Sequence, residues 1–575
     1  MRLVLIYFFI ICCSPVISQH HKTVFELSNG IQTATYFNIV DYYKSLDAAF
    51  TTITVQKHGI TDAGYPLHTV VFCNDQQFNA SKPIQKNKII ILINNGIHPG
   101  EPDGIDATMM MFRDMALGKI KVPKNIVMVT IPVYNIGGCL NRNSTTRVNQ
   151  NGPTEHGFRG NAQNLDLNRD FIKCDSKEAK EFVKIFQAWK PHIFIDNHVS
   201  DGADYQHIMT MLTTQHSKLG GKVGQYLHDV FEPSLFESMK QKNFEMCPYV
   251  NFEDQNPEKG WTAFYDAPRY SSGYAALYST MAFVPETHML KPYKDRVNST
   301  YAFMETIIEK SSLYANDIIK NKMSDEQQKA KQQSFSLNYK IDTSKFDLRN
   351  FNGYDTSIKI STVTQLPQYF YNHQKPYSKQ IKFYNYFNGI NEVLKPNAYI
   401  IPQGWYAVID LLKINGVAVD ILKNDTIIEV EAYMIEDFKT LQRPYEKHYK
   451  HNAVQTKTVL KKQRFLKGDF LVKTGTLHDR FLIETLEPKA DDSYFNWNFF
   501  DAILQQKEGY SNYRWETIAE QELAQNPALQ KILKEKKQTD PKFASNANAI
   551  LDFVYKNSKW YEPAHNLYPV FRLVN

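Results

Sequence analysis

The sequence predicts an α/β protein, a doubly wound mixed sheet followed by a smaller β-rich α+β region, on three observations. Short, almost wholly apolar runs such as IIILIN and HIFID alternate with segments of helical period through the first half, and such runs read as strands buried on both faces of a mostly parallel sheet. A polar stretch without aromatic residues, NKMSDEQQKAKQQS at 321–334, interrupts that pattern. Beyond it, apolar and polar residues alternate with many Tyr and Thr, as in antiparallel strands.

The elements follow in chain order. MRLVLIYFFIICCSPVIS, residues 1–18, has a basic start, a short apolar core and Ser18 at a suitable cleavage point, so it reads as a secretory signal and the mature chain starts near Gln19. Its apolar run is shorter than the ~20 residues a spanning helix needs, and no transmembrane anchor is expected. Strands are expected at 69–73, 88–93, 126–133, 192–196 and 281–285. Helices are expected at 103–117, where apolar residues recur at helical period, and at 175–189, which opens on an Asp-Ser cap and stops before Pro191.

A chain of 575 residues is too long for one core. The boundaries expected are a catalytic region at 19–322, a linker at 323–340 and a C-terminal accessory region at 341–575, with two subdomains as one option. In the last of these, 351–387 reads as antiparallel strands, AYIIPQGWYAVIDLLKINGVAVDIL as strand, helix with a stop at Gly416, and strand. IIEVEAYMI, FLVKT and FLIETL read as further strands, with a helix near 497–506. No internal repeat or catalytic signature is visible there.

Composition excludes more than it identifies. The net charge of +6 is small for this length and both signs are interspersed, so no nucleic-acid partner is expected. Of the 6 cysteines, two fall in the signal, and Cys73, Cys139, Cys174 and Cys247 lack metal-type spacing. Disulfides are permitted outside the cytoplasm, but no pairing can be read.

The chemistry lies where apolar runs stop. GIHPGE follows the strand at 88–93 and brings His98 and Glu101; DNH ends the strand at 192–196 and brings His198. Ligands collect beyond the carboxyl ends of strands in open α/β sheets. Two imidazoles and a carboxylate can hold one zinc ion per chain and leave a fourth position for water. In NLDLNRDF, Arg169 with adjacent Asn168 is suited to grip a terminal carboxylate through paired hydrogen bonds. Asp166 can accept the second ring N–H of His98. Glu286, at the end of MAFVPE, can take a proton from a water on the zinc and pass it to a leaving amine.

The ordered set GIHPGE, RVNQNG, DLNRDF, DNH and PET resembles the zinc carboxypeptidases over roughly residues 64–290. The resemblance implies a sheet of the carboxypeptidase type, His98, Glu101 and His198 as zinc ligands, Glu286 as general base, and Asn168 and Arg169 as the pair that binds the C-terminal carboxylate of a peptide. It also implies an arginine that stabilises the oxyanion, a group that lowers the barrier by facing developing charge. Arg147 in RVNQNG is the candidate, with Arg142 and Arg159 as alternatives. A tyrosine covering bound substrate is expected at Tyr270, with Tyr265 and Tyr274 close by.

The function expected is a secreted or periplasmic zinc carboxypeptidase. Between Tyr270 and Glu286 no residue is charged, which disfavours strict selection of basic or acidic side chains. Zinc-dependent N-acyl amino acid deacylases of the aspartoacylase and succinylglutamate desuccinylase type share the His-x-x-Glu and Asp-Leu-Asn-Arg phrases. A secreted peptide- or glycan-binding protein without activity is the reading from another class. Oligomeric state, natural substrate and the role of the C-terminal region are not legible.

Overall fold

The computed structural model describes residues 21–251 and 257–574; the expected signal at 1–18 lies outside them. Ten strands occupy the first half: β1 (Ile53–Ile60), β2 (Pro66–Phe72), β3 (Ile89–Asn94), β4 (Ile126–Ile131), β5 (Ile193–Asp196), β6 (His198–Ser200), β7 (Met209–Thr213), β8 (Cys247–Pro248), β9 (Trp261–Thr262) and β10 (Met281–His288). All but β9 form one mixed sheet in the order β1-β2-β4-β3-β5-β10-β7-β8, with β6 also against β10. Its centre, β4-β3-β5-β10, is parallel.

Period-two alternation divides the strand side chains between two cores. Ile89, Ile91 and Ile93 face the helices Tyr36–Ala49, Asp103–Ala116 and Tyr293–Leu313, while Ile90 and Leu92 face the helix Lys177–Trp189. Covering both faces explains why β3 and β4 are apolar at nearly every position. At the carboxyl end of β3 the helix Asp103–Ala116 approaches so closely that a Cβ on Gly104 would stand 2.3 Å from Cβ of Asn197. Only glycine lets that helix reach the segment that carries His198.

The α/β class expected is the one observed, and the second half differs from expectation in detail. The stretch read as a linker is helix to Lys331 and strand from Ser334 to Ile341. Its polarity has a local cause: Lys329 pairs with Asp325 at 2.7 Å and donates to Ser279, and Lys322 donates to the carbonyl of Tyr278 at 2.6 Å. These polar side chains are buried against the foot of β10 rather than solvated.

Beyond this helix, the strands Ser334–Ile341 and Phe387–Leu394 pair, as do the long strands Asp347–Ile360 and Pro367–Tyr384, which β9 joins. A six-stranded antiparallel sheet includes Ala398–Ile401, Thr426–Thr440 and His451–Phe465. FLIETL, expected as a strand, lies in the helix Asp479–Leu486, which is buried along its whole length and pairs Arg480 with Glu484 one turn on; six residues are too short a window to separate helix from strand. The helix expected near 497–506 is a single turn at Asp501–Leu504. Four helices between Asn512 and Lys556 build a small core around Trp515 and add a helical unit to the β-rich pattern.

The two halves share one core. Phe182, Phe186 and Trp189 pack in the same cluster as Tyr399, Leu412, Phe481 and Trp497. The four described cysteines are buried free thiols, and among the described residues no helix is long and apolar enough to cross a membrane.

A polar tether also joins the halves: His228 Nε2 lies 3.1 Å from Asp347, whose carboxylate also accepts from Asn385 and Arg349. The Asp347 carboxylate raises His228 from 6.5 to about 9 against the opposing effect of burial. A folded-state pKa above the unfolded one gives stability that is complete below about 6.5 and lost as pH rises through about 9. Thermal denaturation is therefore expected to show that loss between those values, and His228→Ala to remove it; an unchanged pH slope in the variant would exclude this pair as its source.

Candidate active site

His98 and Glu101 leave the end of β3 in one turn, closed by the Glu101 N–H donating to the His98 carbonyl at 2.8 Å. The neighbouring strand β5 ends at Asp196, and His198 follows at once. Glu286 sits opposite His198 in the register of β10 against β6. Sheet order thus collects residues separated by nearly 190 positions at one edge.

One atom from each of His98, Glu101 and His198 lies within 4.8 Å of the others, and all three residues are buried. His98 Nδ1 is 3.2 Å from Glu101 Oε1, and His198 Nδ1 is 3.1 Å from Glu101 Oε2. Both second ring nitrogens are held by carboxylates: His98 Nε2 by Asp166 at 2.8 Å and His198 Nε2 by Asp196 at 3.1 Å. Asp196 is fixed in turn by the Asn94 amide at 3.0 Å. Carboxylates on Nε2 set the tautomer that leaves both Nδ1 lone pairs facing Glu101, the arrangement of metal-binding histidines. His98 Nδ1 is buried and makes no hydrogen bond. This donor set fits a divalent cation of the zinc type.

Electrostatics separate the two glutamates. Burial alone would raise Glu101, but His98, Arg147 and His198 overcome it and hold the carboxyl well below its usual range. Burial dominates at Glu286 and pushes it from 4.5 up to about 7, with His198 opposing and Glu101 assisting. Two buried glutamates of one site are thus driven in opposite directions, one held ionised and the other left able to change protonation near neutrality.

Arg147 adopts φ 56° and donates to Glu101 at 2.8 Å, to the Val199 carbonyl at 3.1 Å and to Gln150 at 2.6 Å. Arg159 also reaches the cleft, donating to Asp166 at 3.0 Å. Arg142 binds the carbonyls of Ala34 and Glu155 and is not among the cleft residues. Arg169 packs over the ring of Tyr270 at 4.6 Å, and Asn168 Oδ1 is buried without a partner. Tyr274 is in the core with its hydroxyl on Asn415, and Tyr265 packs against Tyr339 and Phe387. Of the three tyrosines, Tyr270 alone lines the cleft, a space of about 430 Å³.

Several residues that brace or line the cleft belong to no motif of the sequence. Asp196 was legible in principle, since it stands two residues before His198 on a strand and therefore on the same face. Glu446 accepts the Asp166 N–H at 2.8 Å from 280 residues away, a contact that no local pattern announces. Asp266 and Tyr249 line the cleft itself.

No family model matches the chain. Carboxypeptidase 2 of Trichophyton tonsurans is 20% identical over 460 residues, 74% of this chain and 76% of the relative. Carboxypeptidase 2 of Trichophyton rubrum is 20% identical over 443 residues, 71% and 73% of the two chains. Among solved structures, a metallo-carboxypeptidase from Burkholderia cenocepacia matches with TM-score 0.36 and 13% identity over 47% of this chain and 68% of its own. Carboxypeptidase A from Helicoverpa armigera matches with TM-score 0.36 and 13% identity, over 49% and 74%.

Proposed function

We propose that this chain, which belongs to the carboxypeptidase family, is a secreted zinc-dependent carboxypeptidase that removes the C-terminal residue of peptides. The observation that carries the reading is the convergence of both Nδ1 atoms on Glu101, with Glu286 in register beside His198. Zinc, when held by His98, Glu101 and His198, would supply Lewis acidity toward the scissile carbonyl and lower the pKa of water.

The remaining work falls to side chains. Asn168 and Arg169 bind the substrate's terminal carboxylate, and Tyr270, stacked on Arg169, closes over it. That grip sets which peptide bond reaches Glu286. The Glu286 carboxylate takes a proton from the attacking water and returns it to the leaving amine. Arg147 faces the negative charge that develops on the carbonyl oxygen. Arg159 pairs with Asp166, which in turn holds His98 in place.

The test is metal analysis of the purified chain together with a peptide-library digest read by mass spectrometry, with N-acyl amino acids in parallel. One zinc per chain is expected, with loss of single residues from the C-terminus that chelation stops and added zinc restores. Internal cleavage, or hydrolysis of N-acyl amino acids alone, would overturn the reading.

A further inference from the structure

A second cavity, of about 190 Å³, lies outside the cleft where the two halves of the chain meet. Its wall combines the segment 217–221, the last turns of the helix Ala315–Lys331, the strand Ser334–Ile341 and Arg480 from the helix Asp479–Leu486. Three of its lining residues are cations, and all are buried: Lys218, Lys329 and Arg480 are 1%, 6% and 5% exposed.

Two carboxylates stand within ion-pair distance of these three. Asp325 pairs with Lys329 at 2.7 Å, and Glu484 accepts from Arg480 Nε at 2.7 Å while lying 3.9 Å from Lys218. Lys218 also donates to the main-chain carbonyl of Asp266, and Lys329 to the Ser279 hydroxyl. Arg480 Nη1 reaches the Leu219 carbonyl at 3.4 Å, but its Nη2 is buried without a partner. A buried donor on a charged group is costly to leave unmade. Burial pushes Lys218 below its usual value and Lys329 down to about 8, and the charge of Arg480 adds to the fall in both. Cations that lose basicity beside carboxylates are incompletely compensated. The cluster is also rigidly placed: Gly221 has φ 57°, and a Cβ there would stand 1.9 Å from Asp325 Oδ1.

We infer that this cavity binds one small oxyanion of the phosphate or sulfate class, held jointly by Arg480, Lys218 and Lys329. An oxyanion oxygen gives Arg480 Nη2 the acceptor it lacks, in the charge-assisted geometry that a guanidinium fork favours. The two ammonium groups add charge without demanding a fixed direction. The space far exceeds the about 10–15 Å³ that a single water needs, and Ser336 and Tyr339 bring hydroxyl groups to its wall. Lys218 belongs to the first half of the chain and Arg480 to the second, so the bound anion ties the halves together. The inference is independent of the carboxypeptidase reading.

The experiment titrates the full zinc-loaded chain with sodium phosphate and with sodium sulfate by calorimetry, against sodium chloride at matched ionic strength. A saturable site is expected, with a melting temperature that rises as it fills. Arg169→Ala, which removes an anion-binding group from the cleft, should leave this site intact. Lys329→Gln should weaken binding by about 10–100-fold, the worth of a charge-assisted hydrogen bond. Gln328 is an exposed residue of the same cavity wall. Gln328→Glu sets a like charge at the rim without touching the buried pairs, and should weaken binding by about 5-fold or more. It keeps the test decisive if Lys329→Gln fails to fold. No saturable response to phosphate or sulfate beyond that to chloride would overturn the site, and so would binding that both variants leave unchanged.

Discussion

Glu286→Gln is expected to keep one zinc per chain and to lower kcat by about 10²–10⁴-fold, the usual contribution of a positioned proton-transfer group. The amide has nearly the shape of the carboxylate, so the β10 register against His198 and the ligands at the β3 and β5 ends stay in place. It cannot accept a proton at neutral pH. Burial raises the Glu286 carboxyl to about 7 in the metal-free chain, and a cation beside it lowers that value. Only the ionised form accepts a proton, so kcat/KM should rise with pH along an acid limb below about 7. The same limb should be absent from the residual rate of the variant. Zinc analysis and the pH profile together check this; full turnover in Glu286→Gln would remove Glu286 from the reaction.

The parts of this site that were legible share a physical origin. Apolar runs buried on two faces must end where the sheet ends, and residues at those ends face the space where ligands bind. His98, Glu101, His198 and Glu286 each mark such an end, so their order along the chain announced a common location. Asp266 and Glu446 occupy loops, where position depends on packing between distant segments and no periodicity survives. FLIETL was misread for another reason: six residues are too few to separate the helical period from the strand period, and the Arg480–Glu484 pair one turn apart was the signal left unused. The polar stretch at 321–334 misled for a third reason. Its Lys322, Lys329 and Asp325 satisfy one another and the backbone inside the protein, and composition alone cannot tell a helix with one buried ion-paired face from a solvated linker.

Asp170→Ala should lower thermal stability more than any surface change, by about 3–5 kcal/mol, because it strips a buried cation of its main partner. Lys173 is fully buried and pairs with Asp170 at 2.6 Å and Asp175 at 2.8 Å. The second oxygen of Asp170 accepts both the N–H and the hydroxyl of Ser176, which caps the helix Lys177–Trp189. From the C-terminal region, His448 holds Asp175 at 2.8 Å and Glu446 holds the Asp166 N–H. Asn168 and Arg169 lie between these anchors, so the accessory region and the buried pair jointly fix the group proposed to bind the substrate carboxylate. Loosening that segment should raise KM as well as lower the melting temperature, whereas His98, Glu101 and His198, held at the sheet edge, should keep their metal content. Thermal denaturation with zinc analysis and KM on one preparation separates these effects. Asp170→Asn, which retains an acceptor for Lys173, should fall between wild type and alanine, and an unchanged melting temperature in Asp170→Ala would show that the segment is held by other contacts.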